Sequence, residues 1–571
     1  MKMRVLRPWV LSCGVLLLCL VTSTESLTAS RPAVKGRHGM VASAEAHASQ
    51  VGVDILKQGG NAVDAAVAVG FALAVTFPEA GNLGGGGFMV IRMADGRTTT
   101  IDFREKAPAG ATTGMFLDSS GNFVPALSQE GYLSSGVPGS VSGLLLALQR
   151  YGTRSRKDVI TPAKLLARNG ITVNERLADD LNGLLRWAGK YPSTRRAFQP
   201  SGVDWKAGDR LRQPDLAGTL QRIIDRGAEG FYAGKTADGI VRQMEANGGL
   251  ITARDLRDYR AMERPPVRGT YRGYDVISMG PPSSGGVLLL ELLNLLEAYD
   301  IRAKGFNSSE TISLMAEAMK IAYADRAEFL GDPDFFPVPT ERLISKAYAT
   351  ERRALIDTAA ATPSDRIRHG DIPLPEHTQT THFSVVDRWG NAVSVTTTLN
   401  GWFGNGIVVD GTGMLLNNEM DDFSAKPGTP NQFGLLGGTA NAVQPGKRML
   451  SAMTPTIVLK DGQPWLVTGS PGGSTIITTV LQCILNVIDH RMPIQEAVDA
   501  PRIHHQWRPD TLWYELRGLP RDVVRGLEKR GYTVVQRSGT QGWVEAVLID
   551  RAHGWYFGAS DPRGPGSSVG Y

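Results

Sequence analysis

A single large α/β unit is what this 571-residue chain predicts, on three observations. Helical and strand signals alternate through the N-terminal half, strands and turns take over after Thr380, and no long Ser/Gly-rich or charged linker separates Ala33 from Asp357.

The elements follow in chain order. Residues 44–58 (AEAHASQVGVDILKQ) predict a helix closed by Gly59 and Gly60, and Asn61 caps a second helix that continues through Leu73 and stops at Pro78. The run GNLGGGGF (81–88) then feeds two strands, FMVIRM and TTTIDF. No Lys-Ser/Thr follows these glycines and no helix opens from them, so tight backbone approach explains them better than phosphate binding does. GGVLLLELLNLLEAY and TISLMAEAMKIAYADRAEFL read as long buried helices. Beyond Thr380, HFSVVD (382–387) alternates as a half-buried strand does, residues 388–391 turn the chain, and AVSVTTTLN returns.

The N-terminus has the layout of a secretory signal: Lys2, Arg4 and Arg7 precede an apolar stretch at 9–21 that is short for a membrane span. Residues 1–26 are therefore expected to be a leader, and the remainder periplasmic or secreted. Cys13 and Cys19 fall in that leader, which leaves Cys483 without a partner for an internal disulfide. An exported chain of this length then depends on its core. The net charge of +5 includes three basic residues and Glu25 from the leader, so about +3 remains. With no basic cluster, nucleic acid is not an expected partner.

Generic motifs contribute little. Residues 566–570 (GSSVG) match G-x-S-x-G literally, but no helix and no later histidine follow. His504 and His505 are adjacent, and neither H-E-x-x-H nor C-x-x-C occurs, so no catalytic metal and no cofactor are expected. The pair Thr380-Thr381 is more informative. It sits where a polar, proline-bearing stretch (362–379) meets a strand. A hydroxyl is a weak nucleophile until a base takes its proton, and a free α-amino group, with a pKa of about 7.7–8.0, serves as that base near neutral pH. If the Gln379–Thr380 bond is cut, Thr380 carries nucleophile and base together. Taken alone, the same residues also suit an ordinary loop entering a strand.

Five separated strings decide between these readings: DFREKAP (102–108), QTTHFSVVDRWGNAVSVTTTLN (379–400), LLNNEMDDFSAKPG (415–428), KRMLSAMTPT (447–456) and VTGSPGGS (467–474), followed by the ending GASDPR…GY. In this order they resemble the γ-glutamyltransferases, or glutathione hydrolases, of the N-terminal nucleophile hydrolase superfamily, across essentially the whole chain after the leader. The resemblance implies an α/β (α+β) fold of the four-layer αββα sandwich type. It also implies a precursor that cuts itself into a large subunit, 27–379, and a small subunit, 380–571, which remain one interleaved heterodimer without a cofactor.

By the same resemblance Thr380 is the nucleophile, Thr398 supports its hydroxyl, and Gly472 and Gly473 form the oxyanion hole. Arg104, with Ser451, holds the donor's α-carboxylate; Asn400, Glu419 and Asp422 hold its α-ammonium. The implied donors are glutathione and other γ-glutamyl compounds, and the acceptors are water, amino acids or peptides. Without the resemblance, Arg104 reads as an ion-pair partner of Asp102 or Glu105. Two departures stand out: Ala452 where many relatives carry a second serine, and Phe433, in a lid-like segment at 427–438, where tyrosine is frequent. The alternatives are a glutaryl-type (cephalosporin) acylase of the same fold, in which Glu419 and Asp422 would face no ammonium, and a non-catalytic periplasmic relative.

Overall fold

A computed structural model describes residues 30–199, 201–368, 380–426 and 428–571. The leader expected at 1–26 and Gln379 of the expected cleavage site lie outside the described residues.

Two seven-stranded antiparallel sheets stack face to face. One has the order Val34–Gly36, Trp555–Ser560, Glu545–Asp550, Gln463–Thr468, Thr456–Lys460, Tyr274–Ser278, Val267–Tyr271. The other runs Ser567–Gly570, Gly39–Ser43, Thr381–Asp387, Ala392–Thr398, Gly86–Arg92, Thr98–Asp102, Met262–Arg264. Met40, Val90, Ile277, Val386, Ile457 and Val467 fill the space between them. Helices Ala46–Lys57 and Ala62–Thr76 cover the outer face of the second sheet, and Gly285–Leu296, Ser309–Phe329 and Thr475–Ile488 that of the first. The result is the four-layer αββα sandwich. Both sheets combine strands from before and after residue 380, so neither half of the chain completes a sheet alone.

Local chemistry accounts for the elements. Asn61 Oδ1 accepts from the N–H groups of Val63 (2.9 Å) and Asp64 (3.0 Å), and Asp64 Oδ2 accepts from Asn61 N (2.8 Å). This reciprocal cap starts a helix that extends to Thr76, just short of Pro78. The glycine run allows the close approach expected of it: a Cβ at Gly85 would lie 2.0 Å from the Thr398 carbonyl oxygen, and one at Gly87 2.3 Å from that of Thr396.

One expectation is corrected. The Thr381–Asp387 strand is buried along its whole length, not half-buried. Its alternation separates two dry environments: Phe383 and Val385 meet the helical layer, where Asp387 also accepts from Ala62 N, whereas His382 and Ser384 lie at the inter-sheet layer and are paired there. His382 Nδ1 sits 3.0 Å from Thr396 Oγ1 and Nε2 3.1 Å from Ser384 Oγ, which itself donates to the Glu545 carbonyl. Burial pushes the His382 pKa down to about 3, so its ring is neutral.

The weak motifs resolve as structure. Residues 567–570 form an edge strand. His504 pairs with Thr478 and Gln506, while His505 pairs with Asp510. Among the described residues, no group of three or more His, Cys, Asp or Glu could hold a metal ion, and no helix is long and apolar enough to cross a membrane. Cys483 is buried and free.

Candidate active site

The strand register builds the site. Thr381 pairs with Thr397 in the central hairpin, and one further step along that register sets Thr380 against Thr398. Both threonines line a small pocket walled mostly by buried residues, together with Arg104, Asn400, Glu419, Asp422, Ser451 and Gly473. Every site residue named from the sequence except Gly472 and Gln379 is thus on one wall or another of the same space. Gly472 is adjacent to it in the chain.

Arg104 is delivered by the end of the Thr98–Asp102 strand and is fully buried. Its partner is not Asp102. That carboxylate accepts from Arg264 Nε at 2.7 Å, lies 3.2 Å from Arg448 Nε, and reaches Arg104 only through its backbone N–H. The Arg104 guanidinium instead donates from Nη1 to Glu419 and from Nη2 to Asp422, with Nε on the Met449 carbonyl at 3.2 Å. Glu105 is 3.6 Å from Nη1, the contact its neighbouring position suggested, but in the interior and not at the surface.

Three carboxyls around one guanidinium in a dry pocket cannot all ionise easily. Burial pushes Glu419 well above the usual carboxylate range and raises Asp422, with Arg104 pulling both back down. Burial also pushes Glu105 up to about 8 against the same opposing pull. Burial alone would lower the Arg104 pKa, but Glu419, Asp422 and Glu105 hold it above its ordinary value. Among the described residues, no group donates to either oxygen of Glu105 or to Oε2 of Glu419. The site therefore holds a cation and a surplus of acceptors in direct contact with each other. An incoming group with both charges can exchange into those contacts.

Its other polar groups are aimed by the backbone. Asn400, at φ +75°, donates from Nδ2 to the Asn418 carbonyl (2.9 Å), so Oδ1 is the atom it offers. Its N–H donates to Thr398 Oγ1 at 2.7 Å. Ser451 Oγ accepts from Met453 N at 3.1 Å, leaving its O–H to donate. Gly472 and Gly473 have φ of +137° and +53°, conformations that suit glycine, and their carbonyls accept from the first turn of the Thr475–Ile488 helix. Their N–H groups remain as the donors this loop can offer, at the positive end of a helix.

Phe433 and Leu435 cover the cavity and Ala452 lines it. Phe433 is 4% exposed and is packed in place without a hydroxyl. Sequence reasoning treated Glu105 only as a neighbour of Arg104 and passed over Asp421, Asn431, Leu435, Met453 and Ile476. Glu105 and Asp421 lay inside strings already singled out, as the second acidic residue of each charged cluster.

The sequence matches the family model for gamma-glutamyltranspeptidase over residues 48–571. The chain belongs to the γ-glutamyltranspeptidase family. It is 54% identical over 531 residues to the glutathione hydrolase proenzyme of Escherichia coli (strain K12), covering 93% of this chain and 91% of that protein. Among solved structures, a γ-glutamyltranspeptidase chain from Helicobacter pylori is 47% identical with a TM-score of 0.56, covering 60% of this chain and 96% of that one. A cephalosporin acylase from Bacillus halodurans superposes with a TM-score of 0.84 at 28% identity, covering 96% and 98%. The transpeptidase family and its acylase neighbour thus share the sandwich, and the fold by itself does not choose between their substrates.

Proposed function

We propose that this protein is a self-processing γ-glutamyltransferase and glutathione hydrolase that uses Thr380 as nucleophile. The observation that carries the reading is one small pocket containing both the Thr380–Thr398 pair and a guanidinium clasped by Glu419 and Asp422. A γ-glutamyl donor brings an α-carboxylate and an α-ammonium, the two charges that can replace those contacts. The carboxylate takes the Arg104 fork and the Ser451 hydroxyl, and the ammonium takes Glu419, Asp422 and Asn400 Oδ1.

Once the chain is cut between Gln379 and Thr380, the Thr380 amine accepts the proton of its own Oγ, which attacks the γ-carbonyl. The oxyanion is held by the N–H groups of Gly472 and Gly473; loss of one such donor costs about 3–4 kcal/mol in comparable enzymes. Collapse expels the leaving amine with the proton and leaves a γ-glutamyl ester on Thr380. Water then releases glutamate, or the amine of an amino acid or peptide takes the acyl group. The name "proenzyme" of the Escherichia coli relative supports self-processing. The strand interleaving would keep fragments 27–379 and 380–571 together as a heterodimer. The basic and apolar leader at 1–26 supports export to the periplasm or beyond.

Thr380→Ala is expected to give one band on a denaturing gel and no chromophore from a γ-glutamyl anilide. Two bands with full turnover would overturn the proposal. An acylase selecting glutaryl groups is the reading to separate from it; γ-glutamyl amides should be cleaved faster than glutaryl amides at equal concentration, because only they supply a cation to Glu419 and Asp422.

A further inference from the structure

The segment 428–438, which carries Phe433 and Leu435 over the cavity, contains no charged residue. Its stem is tied to the body by Gly438 N on the Ala327 carbonyl (3.0 Å) and by Arg326 Nη1 on the Leu436 carbonyl (3.4 Å). Its tip is held differently, by Gln506 Nε2 on the Gly434 carbonyl (3.3 Å) and by two consecutive aspartates of the 3₁₀ turn Glu419–Asp422. Asn431 Nδ2 donates to Asp422 Oδ1 at 2.8 Å, and the backbone N–H of Gln432 donates to Asp421 Oδ2 at 2.7 Å. Asn431 Oδ1 in turn accepts from the N–H groups of Phe433 (2.9 Å) and Leu435 (3.0 Å), which fixes the turn that presents both side chains to the cavity.

The two aspartates are not equivalent. Asp422 is engaged by Arg104 and lines the cavity, so its contact with the lid is shared with whatever occupies the site. Asp421 does not line the cavity. It is 2% exposed, and its other oxygen accepts from Ser128 Oγ at 2.6 Å, a residue of the Pro125–Gln129 helix. That helix brings no charge to it. Asp421 is therefore a fixed post, anchored from behind by Ser128, to which the lid's own backbone is fastened.

We infer that Asp421 is a positioning residue that latches the lid through the Gln432 amide, and that this latch, not the charge of Asp421, governs how long a γ-glutamyl group is retained over Thr380. The inference rests on the reading of the cavity as the γ-glutamyl site. It assigns the closure of this lid to a backbone hydrogen bond, at a place where Phe433 offers no hydroxyl.

Neutral and truncated replacements separate latch from charge. In Asp421→Asn, Oδ1 still accepts from Gln432 N, and Nδ2 donates to the Ser128 hydroxyl after that hydroxyl rotates. Asp421→Ala removes both contacts, and loss of one such hydrogen bond corresponds to about a tenfold shift in a two-state equilibrium. Deuterium uptake of the 428–438 peptide in the processed protein should therefore rise about tenfold in Asp421→Ala, with KM for a γ-glutamyl anilide up by a similar factor and kcat within about threefold. Asp421→Asn should stay within about twofold of the parent on all three readouts. Ser128→Ala, which loosens the post without touching the lid, should shift lid uptake in the same direction by a smaller amount. An Asn variant as impaired as the Ala variant would assign the residue an electrostatic role and overturn the latch. Unchanged lid exchange in Asp421→Ala, or in Ser128→Ala should the former fail to fold, would also overturn it. Lid exchange needs no turnover, so an inactive parent protein would refute the proposed activity without touching this result.

Discussion

Two clusters of buried carboxyls in this molecule look alike by titration and differ in everything around them. At the cavity, Glu419 and Asp422 clasp Arg104, and Glu105 approaches the same guanidinium from outside the cavity lining. In the helical layer, Glu291 of the Gly285–Leu296 helix lies beside Asp325, which accepts from Tyr348 OH (2.9 Å) and Arg352 Nη2 (3.0 Å). Burial pushes Glu419 and Glu291 alike well above the ordinary carboxylate range, and among the described residues no group donates to either Glu291 oxygen. Yet Glu291 sits on a helix whose residues, mostly leucine, are all buried, and the charged groups beside it are Asp325 and Arg352, already paired with each other. A displaced pKa thus marks dryness. A site additionally requires a cation whose partners can be exchanged and a reacting group within reach.

The largest effect expected from this contrast comes from removing the exchangeable cation's geometry. Arg104→Lys keeps the charge but replaces a planar fork, which engages Glu419 and Asp422 and in the proposed reaction takes the donor carboxylate, by a point that cannot. Losing bidentate contact in a dry pocket should lower kcat/KM for a γ-glutamyl anilide by at least about a hundredfold. Retention within about fivefold would mean that the fork is structural, as the arginines on Asp102 are.

Glu291→Gln is the matching test on the other side, and it should leave turnover unchanged. Its effect belongs to stability. The folded pKa of Glu291 is raised above its unfolded value of about 4.3, so the native state holds a proton that the unfolded chain gives up. That contribution is complete below pH 4.3 or so and is lost as pH rises, with a limiting slope of about 1.4 kcal/mol per pH unit. Glutamine has no proton to lose. The variant should therefore gain on the parent between pH 5 and pH 8 in urea midpoints, and a constant difference across that range would place the Glu291 pKa near normal.

Much of the frame behind this comparison was readable in the sequence, because caps, glycine breaks and strand alternation are local. Asn61, Pro78 and the 388–391 turn each act within a few residues. The site itself was readable only through its strings, since no local rule joins Arg104 to Glu419 across 315 positions. Glu105 and Asp421 escaped for the same reason. Each sits beside a more conspicuous charged residue, and only the packing of distant segments reveals that one faces a guanidinium from behind while the other holds a lid. The strand at 381–387 shows the converse limit: alternation correctly gave two faces, but a second sheet over the polar face is information that seven residues do not contain.

The smallest effect is expected at Glu105, where the two clusters come closest in character. With its pKa pushed up to about 8, its carboxyl is mostly protonated at pH 7, so Glu105→Gln should change KM for the donor by less than about twofold there. Above pH 8 the parent ionises and adds an anion beside Arg104, where it competes with the proposed donor's α-carboxylate; the glutamine variant does not. Donor ionisation also changes in that range but is common to both proteins, so the ratio of parent to variant KM isolates the residue. This ratio should climb about threefold between pH 7 and pH 9.5. A flat ratio with normal activity would make Glu105 a silent filler of the kind Glu291 exemplifies, and the surplus of acceptors around Arg104 would reduce to Glu419 and Asp422 alone.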